Sequence, residues 1–514
     1  MSARRHAVAL AVSLAVGLAG SANAGPSASF EHAAAAANAI AALEFDEARR
    51  QIALGDAADP AIATEAGRLA LYEGRCDEAL ISLGRPDVAR TEAGSGLGDI
   101  ARGCVRAMAA TLVDTDDSHG VVIRYQDEGD RALTPLIVET VARARDAITS
   151  DLGVSWPTPT RVVVVRDLMS LSAMTGLPQK AAETTGTVAV AKWGRVTLLS
   201  PRASEHGFPW RDTLAHELTH LAVTRASAEH APLWLQEGMA KREETRWRAP
   251  GPFDDRPSPD DVVARGLELK LTLPLDQLGP SIAMLPSADA AMVAYAEVTS
   301  FVRYFASIGG PEALPRLLLA MRTSSDTDVA LRQSSGADLH TWDTRWHAYI
   351  AQRPWTPVPP IFGLGATPPD TRDLRDRMRL AELLAGRLHA VEALSELERA
   401  RMTFGADDPS VRSLRAHILG TLGRREEAAP LVGDPREVAA SFGPWWAIRG
   451  RWLRDDGDRA GAAGSFLEAI STDPFEVEAA CETDGSGGDP VLDGAAQGLC
   501  DAARARDEPP LGRD

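Results

Sequence analysis

Residues 216–220 read His-Glu-Leu-Thr-His, and residues 234–238 read Trp-Leu-Gln-Glu-Gly. On a helix, side chains four positions apart lie on one face, so His216 and His220 can direct their imidazoles at one metal ion. Glu217 lies one step round the helix, where it can reach a water molecule on that ion. Glu237 would supply a third protein ligand and leave one position open. This pattern predicts a catalytic zinc site.

The residues around both segments are mostly uncharged. Leucine, alanine and valine flank the two histidines, which indicates a helix buried inside a domain. The segment from Pro232 to Ala240 again places one carboxylate among apolar residues, and a buried carboxylate is costly unless it is paired or bound to a metal ion. Glu243 or Glu244 could orient a ligand histidine, because metal-bound imidazoles usually donate their second nitrogen to a carboxylate or carbonyl.

These residues resemble the gluzincins, the metallopeptidases whose third zinc ligand is a glutamate on a following helix. The resemblance covers about residues 119–352; it is strongest to the bacterial peptidase-MA-like proteins and more distant to the aminopeptidase N and leukotriene hydrolase family. It implies a peptide or protein substrate and Zn²⁺ as the cofactor. It also implies that Tyr295, in the segment Ala-Tyr-Ala-Glu-Val at 294–298, steadies the oxyanion. An ordinary core aromatic is the alternative reading of Tyr295.

One departure from that family concerns the amino terminus of the substrate. The chain has no Gly-x-Met-Glu-Asn segment, with which the aminopeptidases hold a free amino group. The pattern therefore does not indicate an exopeptidase.

Three functions remain open from the sequence. The leading hypothesis is an exported zinc peptidase in which His216, His220 and Glu237 bind the metal, Glu217 is the general base and Tyr295 assists. The main alternative is a protein-interaction scaffold whose peptidase-like domain is weakly active or inactive. A third is a metallohydrolase that acts on a non-peptide bond, since zinc-activated water permits both reactions.

The amino-terminal residues and the cysteines predict export to the periplasm or the extracellular space. Residues 1–24 combine two arginines, an apolar stretch too short to span a membrane, and an Ala-Asn-Ala end, as a signal peptide does. The four cysteines form two local pairs, so we expect the disulfides Cys76–Cys104 and Cys481–Cys500, although three pairings are formally open. The net charge of −18 disfavours nucleic acid and anionic lipid as partners, and no later apolar run is long enough for membrane insertion.

The chain is too long for one hydrophobic core, and changes in composition and pattern along it divide it into regions. Residues 25–113 predict a helical, tetratricopeptide-like region or a plain helical bundle. Residues 114–352 predict the peptidase domain, with strands at 121–125, 161–165, 187–191 and 196–200, a helix at 133–152 and a long loop at 250–286. The sequence does not show which strand of the 187–200 hairpin lies at the sheet edge, where gluzincins bind the extended substrate.

The last third predicts a linker and further helical repeats. Residues 353–372 form a proline-rich linker, and residues 373–478 carry a tetratricopeptide-like spacing that includes Trp446, Gly450, Ala462 and Phe466. Such repeats can bind a protein partner on a concave surface, or they can serve only as an appendage that stabilises the peptidase. Residues 479–514 are expected to be a tail pinned by a disulfide. The predicted fold class is therefore α+β: a mostly helical gluzincin-like domain with a small mixed sheet, flanked by α-helical tetratricopeptide-like regions.

Overall fold

The computed structural model describes residues 28–204, 207–251, 254–278, 281–358, 364, 368–404, 409–432, 443–482 and 490–507. The predicted signal peptide at 1–24 and much of the linker at 353–372 lie outside these residues. The described residues form an α+β fold that is mostly helical and contains one mixed sheet of five strands, which confirms the predicted fold class.

The sheet has the strand order β1-β2-β3-β5-β4. The β2–β3 and β3–β5 pairs are parallel, whereas β1–β2 and β5–β4 are antiparallel. The strands are β1 Leu112–Asp116, β2 Val121–Tyr125, β3 Thr160–Val165, β4 Ala189–Lys192 and β5 Arg195–Leu199. Four of them lie where the sequence predicted strands. The fifth, β1, was missed because its residues are largely exposed and carry no apolar alternation.

Strand β4 is the edge strand of the predicted hairpin. Trp193 and Gly194 form its two-residue turn, and both have positive φ, as the tight turns favoured between twisted strands require. β5 is fully buried between β3 and β4, so of the two hairpin strands only β4 has a side that pairs with no other strand. The structure thereby decides the question that the sequence left open.

Five helices precede the sheet, and the disulfide Cys76–Cys104 joins the last two of them as predicted. They are α1 Ala28–Ala41, α2 Phe45–Leu54, α3 Pro60–Tyr72, α4 Cys76–Leu83 and α5 Glu92–Met108. Arg195 of β5 is buried beneath this region and donates to the carbonyl oxygen of Leu71 at 2.6 Å. The amino-terminal helices therefore pack directly on the hairpin.

Ten α-helices belong to the predicted peptidase domain within the described residues, and Phe301 on one of them makes edge contacts with Trp234 and Trp346. They are α6 Thr134–Leu152, α7 Leu168–Thr175, α8 Gln179–Thr185, α9 Trp210–Ser227, α10 Leu233–Glu243, α11 Pro259–Leu269, α12 Ala288–Gly309, α13 Ala313–Thr323, α14 Thr327–Ser335 and α15 Leu339–Gln352. The expectation of one long loop at 250–286 is wrong, because it contains α11. Ser258 caps that helix and buried Val262 and Val263 hold it against its neighbours.

The carboxyl-terminal region is helical, and its helices pack in consecutive pairs. They are α16 Pro368–Gly386, α17 Ala390–Phe404, α18 Pro409–Thr421, α19 Arg425–Ala428, α20 Gly443–Asp455, α21 Arg459–Thr472, α22 Val477–Glu482 and α23 Pro490–Asp507. Gly450 touches the ring of Phe466 so closely that an added Cβ would lie 2.6 Å from it. This close approach of α20 and α21 is what the repeat spacing requires; the identity of the repeat stays a prediction.

The predicted tail contains helix α23. Leu492, Ala495, Leu499 and Ala503 recur at helical spacing and are buried, and α23 packs on α6. The disulfide Cys481–Cys500 joins α22 to α23, which confirms the predicted pairing. The two disulfides are compatible with export. Within the described ranges, no helix combines the length and apolar character needed to cross a bilayer.

Candidate metal centre

Helix α9 holds the two histidines of the motif. Leu214, Ala215 and Leu218 are fully buried and fix the helix in the core, while His216 and His220 face a partly open site. Because they are one helical turn apart, their rings meet, and the two Nε2 atoms lie 3.2 Å from each other.

Helix α10 brings Glu237 to the same point. Its Oε2 lies 3.5 Å from Nε2 of His216 and 3.6 Å from Nε2 of His220. In a tetrahedral zinc site with bonds of about 2.0–2.1 Å, neighbouring ligand atoms are about 3.3 Å apart. The three atoms therefore form one face of a coordination tetrahedron of the right size.

Oxygen Oε2 of Glu237 also lacks a hydrogen-bond partner. It is buried, and among the described residues it makes no hydrogen bond. Glu217 is likewise close enough to belong to a metal-holding group with the two histidines. Glu217 has another partner, the backbone N–H of Ala191 at 2.5 Å, and this favours Glu237 as the candidate third ligand. Two imidazoles and one carboxylate are a donor set that fits zinc.

The second nitrogen of each histidine is oriented by a side chain of α10 or of the residue that ends it. Nδ1 of His216 lies 3.2 Å from Oε2 of Glu244, and Nδ1 of His220 lies 3.3 Å from Oε1 of Gln236. Lys241 in turn donates to both oxygens of Glu244, at 2.6 and 2.8 Å. Such contacts fix which nitrogen faces the metal.

Of the two glutamates that the sequence proposed for orientation, Glu244 performs it and Glu243 does not. Glu243 is buried on another face of α10, where it pairs with Arg242 and Arg246. Sequence reasoning missed Gln236 and Lys241. The available signal was position, because Gln236 precedes Glu237 directly and Lys241 stands three residues before Glu244.

The carboxylates control the protonation of the cluster. Burial opposes the charged form of His216, but the neighbouring carboxylates of Glu237 and Glu244 outweigh it and raise the pKa of His216 to about 10. Burial likewise opposes ionisation of Glu244, yet the charge of Lys241 and the contact with His216 lower its pKa to about 2. The pKa of Glu237 is also lowered, because the charges of both histidines exceed the effect of burial. Metal binding must therefore displace a proton from His216.

The close approach of α10 to α12 explains the glycine that follows Glu237. A Cβ on Gly238 would lie 2.5 Å from the carbonyl oxygen of Val298. Only glycine allows this contact, which also brings Tyr295 of α12 to the site. Burial first, and then the charges of Glu237, Glu217 and Glu244, raise the pKa of Tyr295 well above its ordinary value, so its phenol stays protonated and can donate.

Tyr295 lies inside α12 and not at its first turn. Ser287 caps the helix by accepting from the N–H of Ala290, so the helix starts well before the tyrosine. Tyr295 and Glu244 both line a cavity of about 770 Å³ that extends towards the amino end of α9, and neither histidine is among its lining residues. The cavity reaches Glu244, which contacts His216, and it can hold a molecule much larger than water.

A family model of the peptidase MA superfamily matches residues 148–352. This part of the chain is similar to that superfamily. The matched residues include α9, α10 and α12, and they support a gluzincin-type, peptidase-like domain. Neither the curated proteins nor the solved structures gave a match.

Proposed function

We propose that the protein is an exported zinc-dependent peptidase. The observation that carries this proposal is the triangle formed by Nε2 of His216, Nε2 of His220 and Oε2 of Glu237, with sides of 3.2, 3.5 and 3.6 Å. Similarity of residues 148–352 to the peptidase MA superfamily supports the same chemistry. A bound zinc ion would supply Lewis acidity towards a water molecule and a peptide carbonyl oxygen.

The side chains around the triangle perform the proton transfer, stabilise the oxyanion and orient the imidazoles. Glu217 accepts the proton of the attacking water and passes it to the leaving amine. Tyr295 donates a hydrogen bond to the oxyanion of the tetrahedral intermediate. Gln236 and Glu244 hold the two imidazoles in place while this happens.

The edge strand β4 is the natural docking site for the substrate backbone. The N–H of Ala191 points away from β5 and already contacts Glu217, so the free side of the strand faces the proposed catalytic base. An extended peptide that pairs with β4 would lie across the metal ligands. Such main-chain pairing binds many sequences, and pockets for side chains then provide selectivity.

The first experiment is metal analysis of the purified protein together with digestion of a mixed peptide library, with and without a chelator. We expect about one zinc ion per chain, cleavage of peptide bonds, and loss of cleavage with the chelator. Cleavage of only non-peptide bonds would instead favour the metallohydrolase alternative.

The matched test is Glu217→Gln. Loss of the general base should reduce kcat by about 10²- to 10⁴-fold while zinc remains bound, because Glu217 is not a ligand in this assignment. Glu268→Gln makes the same charge change at an exposed position of α11 and should leave both properties unchanged. If Glu217→Gln releases the zinc, the assignment of Glu237 as third ligand is wrong.

One observation supports the scaffold alternative. The α16–α17 pair exposes apolar side chains at its connecting end, with Leu388 92% and Val391 71% exposed. An exposed apolar cluster is typical of a protein-binding surface. That alternative predicts that Glu217→Gln does not alter the phenotype of cells in which the native gene product is replaced.

A further inference from the structure

Helix α21 of the carboxyl-terminal region is docked on the peptidase-like domain just before α9. The N–H of Phe208 donates to the carbonyl oxygen of Thr472 at 2.9 Å. Gly207 has a φ of 69°, and a Cβ there would lie 2.0 Å from the same oxygen. The chain therefore uses a glycine to let these two segments touch, and α21 has a fixed position relative to α9.

This contact makes α21 one wall of the cavity beside the metal centre. Leu467, Glu468 and Ser471 line the cavity from α21, and Tyr295 and Glu244 line it from the peptidase-like domain. Because Glu244 also contacts His216, a peptide bound at the metal centre would reach this space. Its side chains on that side would meet residues of the carboxyl-terminal region.

Glu468 of α21 lies in a corner of the cavity where three carboxylates surround one arginine. Arg248 donates to Asp212 at 2.6 and 2.8 Å and to Asp254 at 2.9 and 3.0 Å, so two carboxylates already share its one positive charge. Glu468 is a third carboxylate beside them. Burial raises the pKa of Glu468; the charge of Arg248 opposes this, and the charges of Asp212 and Asp254 add to it. A cation brought into this corner would relieve the repulsion.

The other positive side chains around the cavity do not neutralise Glu468. Lys241 is held by Glu244, and Arg303 pairs with Asp255 at 2.7 Å. The remaining three are Arg143 and Arg211, which both pair with Glu139, and Arg256, which is exposed. Among the described residues of the lining, Glu468 is the carboxylate that forms no ion pair.

We propose that helix α21 forms part of the substrate pocket, and that Glu468 selects peptides with a lysine or arginine side chain on this side of the scissile bond. The inference rests on the proposed peptidase function and assigns the carboxyl-terminal region a direct part in it. In this arrangement the region contributes to substrate choice as well as packing against the domain.

The test uses acetylated alanine heptapeptides that carry one lysine, norleucine or glutamate at each position in turn. With the full-length protein, Glu468→Gln should lower kcat/KM about tenfold for the preferred lysine peptide and leave its norleucine counterpart unchanged. Glu468→Lys should shift the preference to glutamate. Glu426→Gln, an exposed change in the same region, is the matched control.

A second measurement separates this inference from the proposed function. Binding of the same peptides to the Glu217→Gln protein is measured by calorimetry, with and without the Glu468→Gln change. Weaker binding of only the lysine peptide supports the pocket even if the wild-type protein cleaves nothing, in which case the peptidase proposal fails alone. Equal effects of Glu468→Gln on lysine and norleucine peptides, in cleavage or in binding, would overturn the pocket.

Discussion

Substitution of Gly238 by alanine should damage both the fold and the metal centre. The new Cβ would lie 2.5 Å from the carbonyl oxygen of Val298 and 2.5 Å from a methyl group of Val302, whereas ordinary contacts begin at 3.4 Å. The valine side chain can rotate away, but the α12 backbone cannot. Helix α10 must therefore shift by several tenths of an ångström, at a cost of about 1–3 kcal/mol.

That shift also moves Glu237, the preceding residue. Metal sites tolerate deviations of only about 0.2 Å in ligand distance, so zinc affinity should fall by about ten- to a hundredfold. Chemical denaturation and competition with a chromophoric chelator measure the two effects. Gly96→Ala in α5 is the control, because nothing lies within 4 Å of its Cβ, and it should add about 0.4–1 kcal/mol of stability. If Gly238→Ala behaves like Gly96→Ala, the α10–α12 contact does not position the third ligand.

Two further predictions concern buried carboxylates. Glu244→Gln should lower zinc affinity about ten- to a hundredfold through weaker support of His216, whereas Glu243→Gln should leave it unchanged; equal losses in chelator competition would contradict the assignment. Glu297 is 1% exposed, and burial raises its pKa to about 8, so the wild-type protein should lose stability as pH rises from about 4.5 to about 8. Glu297→Gln keeps an acceptor for the N–H of Leu273 and should remove that loss, by up to roughly 5 kcal/mol; parallel unfolding curves for both proteins across this range would contradict it.

The elements that the sequence predicted well are those with a strong local pattern. The runs rich in β-branched residues at 161–165 and 121–125 became buried strands, because burial on one or both faces selects such residues. The spacing of His216 and His220 fixed their relation on one helix turn. Proximity along the chain likewise sufficed to pair the four cysteines.

The errors have an equally physical origin. β1 is polar and exposed, and it exists only because β2 offers it a partner. The segments containing α11 and α23 are rich in residues that break helices, yet a few apolar side chains found a surface to bury against. Tertiary contacts decided these elements, and local composition does not report them.

The sequence by itself determined which atoms can bind a metal ion, because the identity of a side chain and its position on a helix are local properties. It also determined which segments would be buried strands. Only the tertiary structure decided that Glu237 meets the two imidazoles and that Gln236 and Glu244 orient them. It also decided that β4 is the edge strand of the hairpin and that α21 lines the cavity. Each of these depends on the packing of segments far apart in the chain, where a single glycine contact such as that of Gly238 on α12 sets the distance.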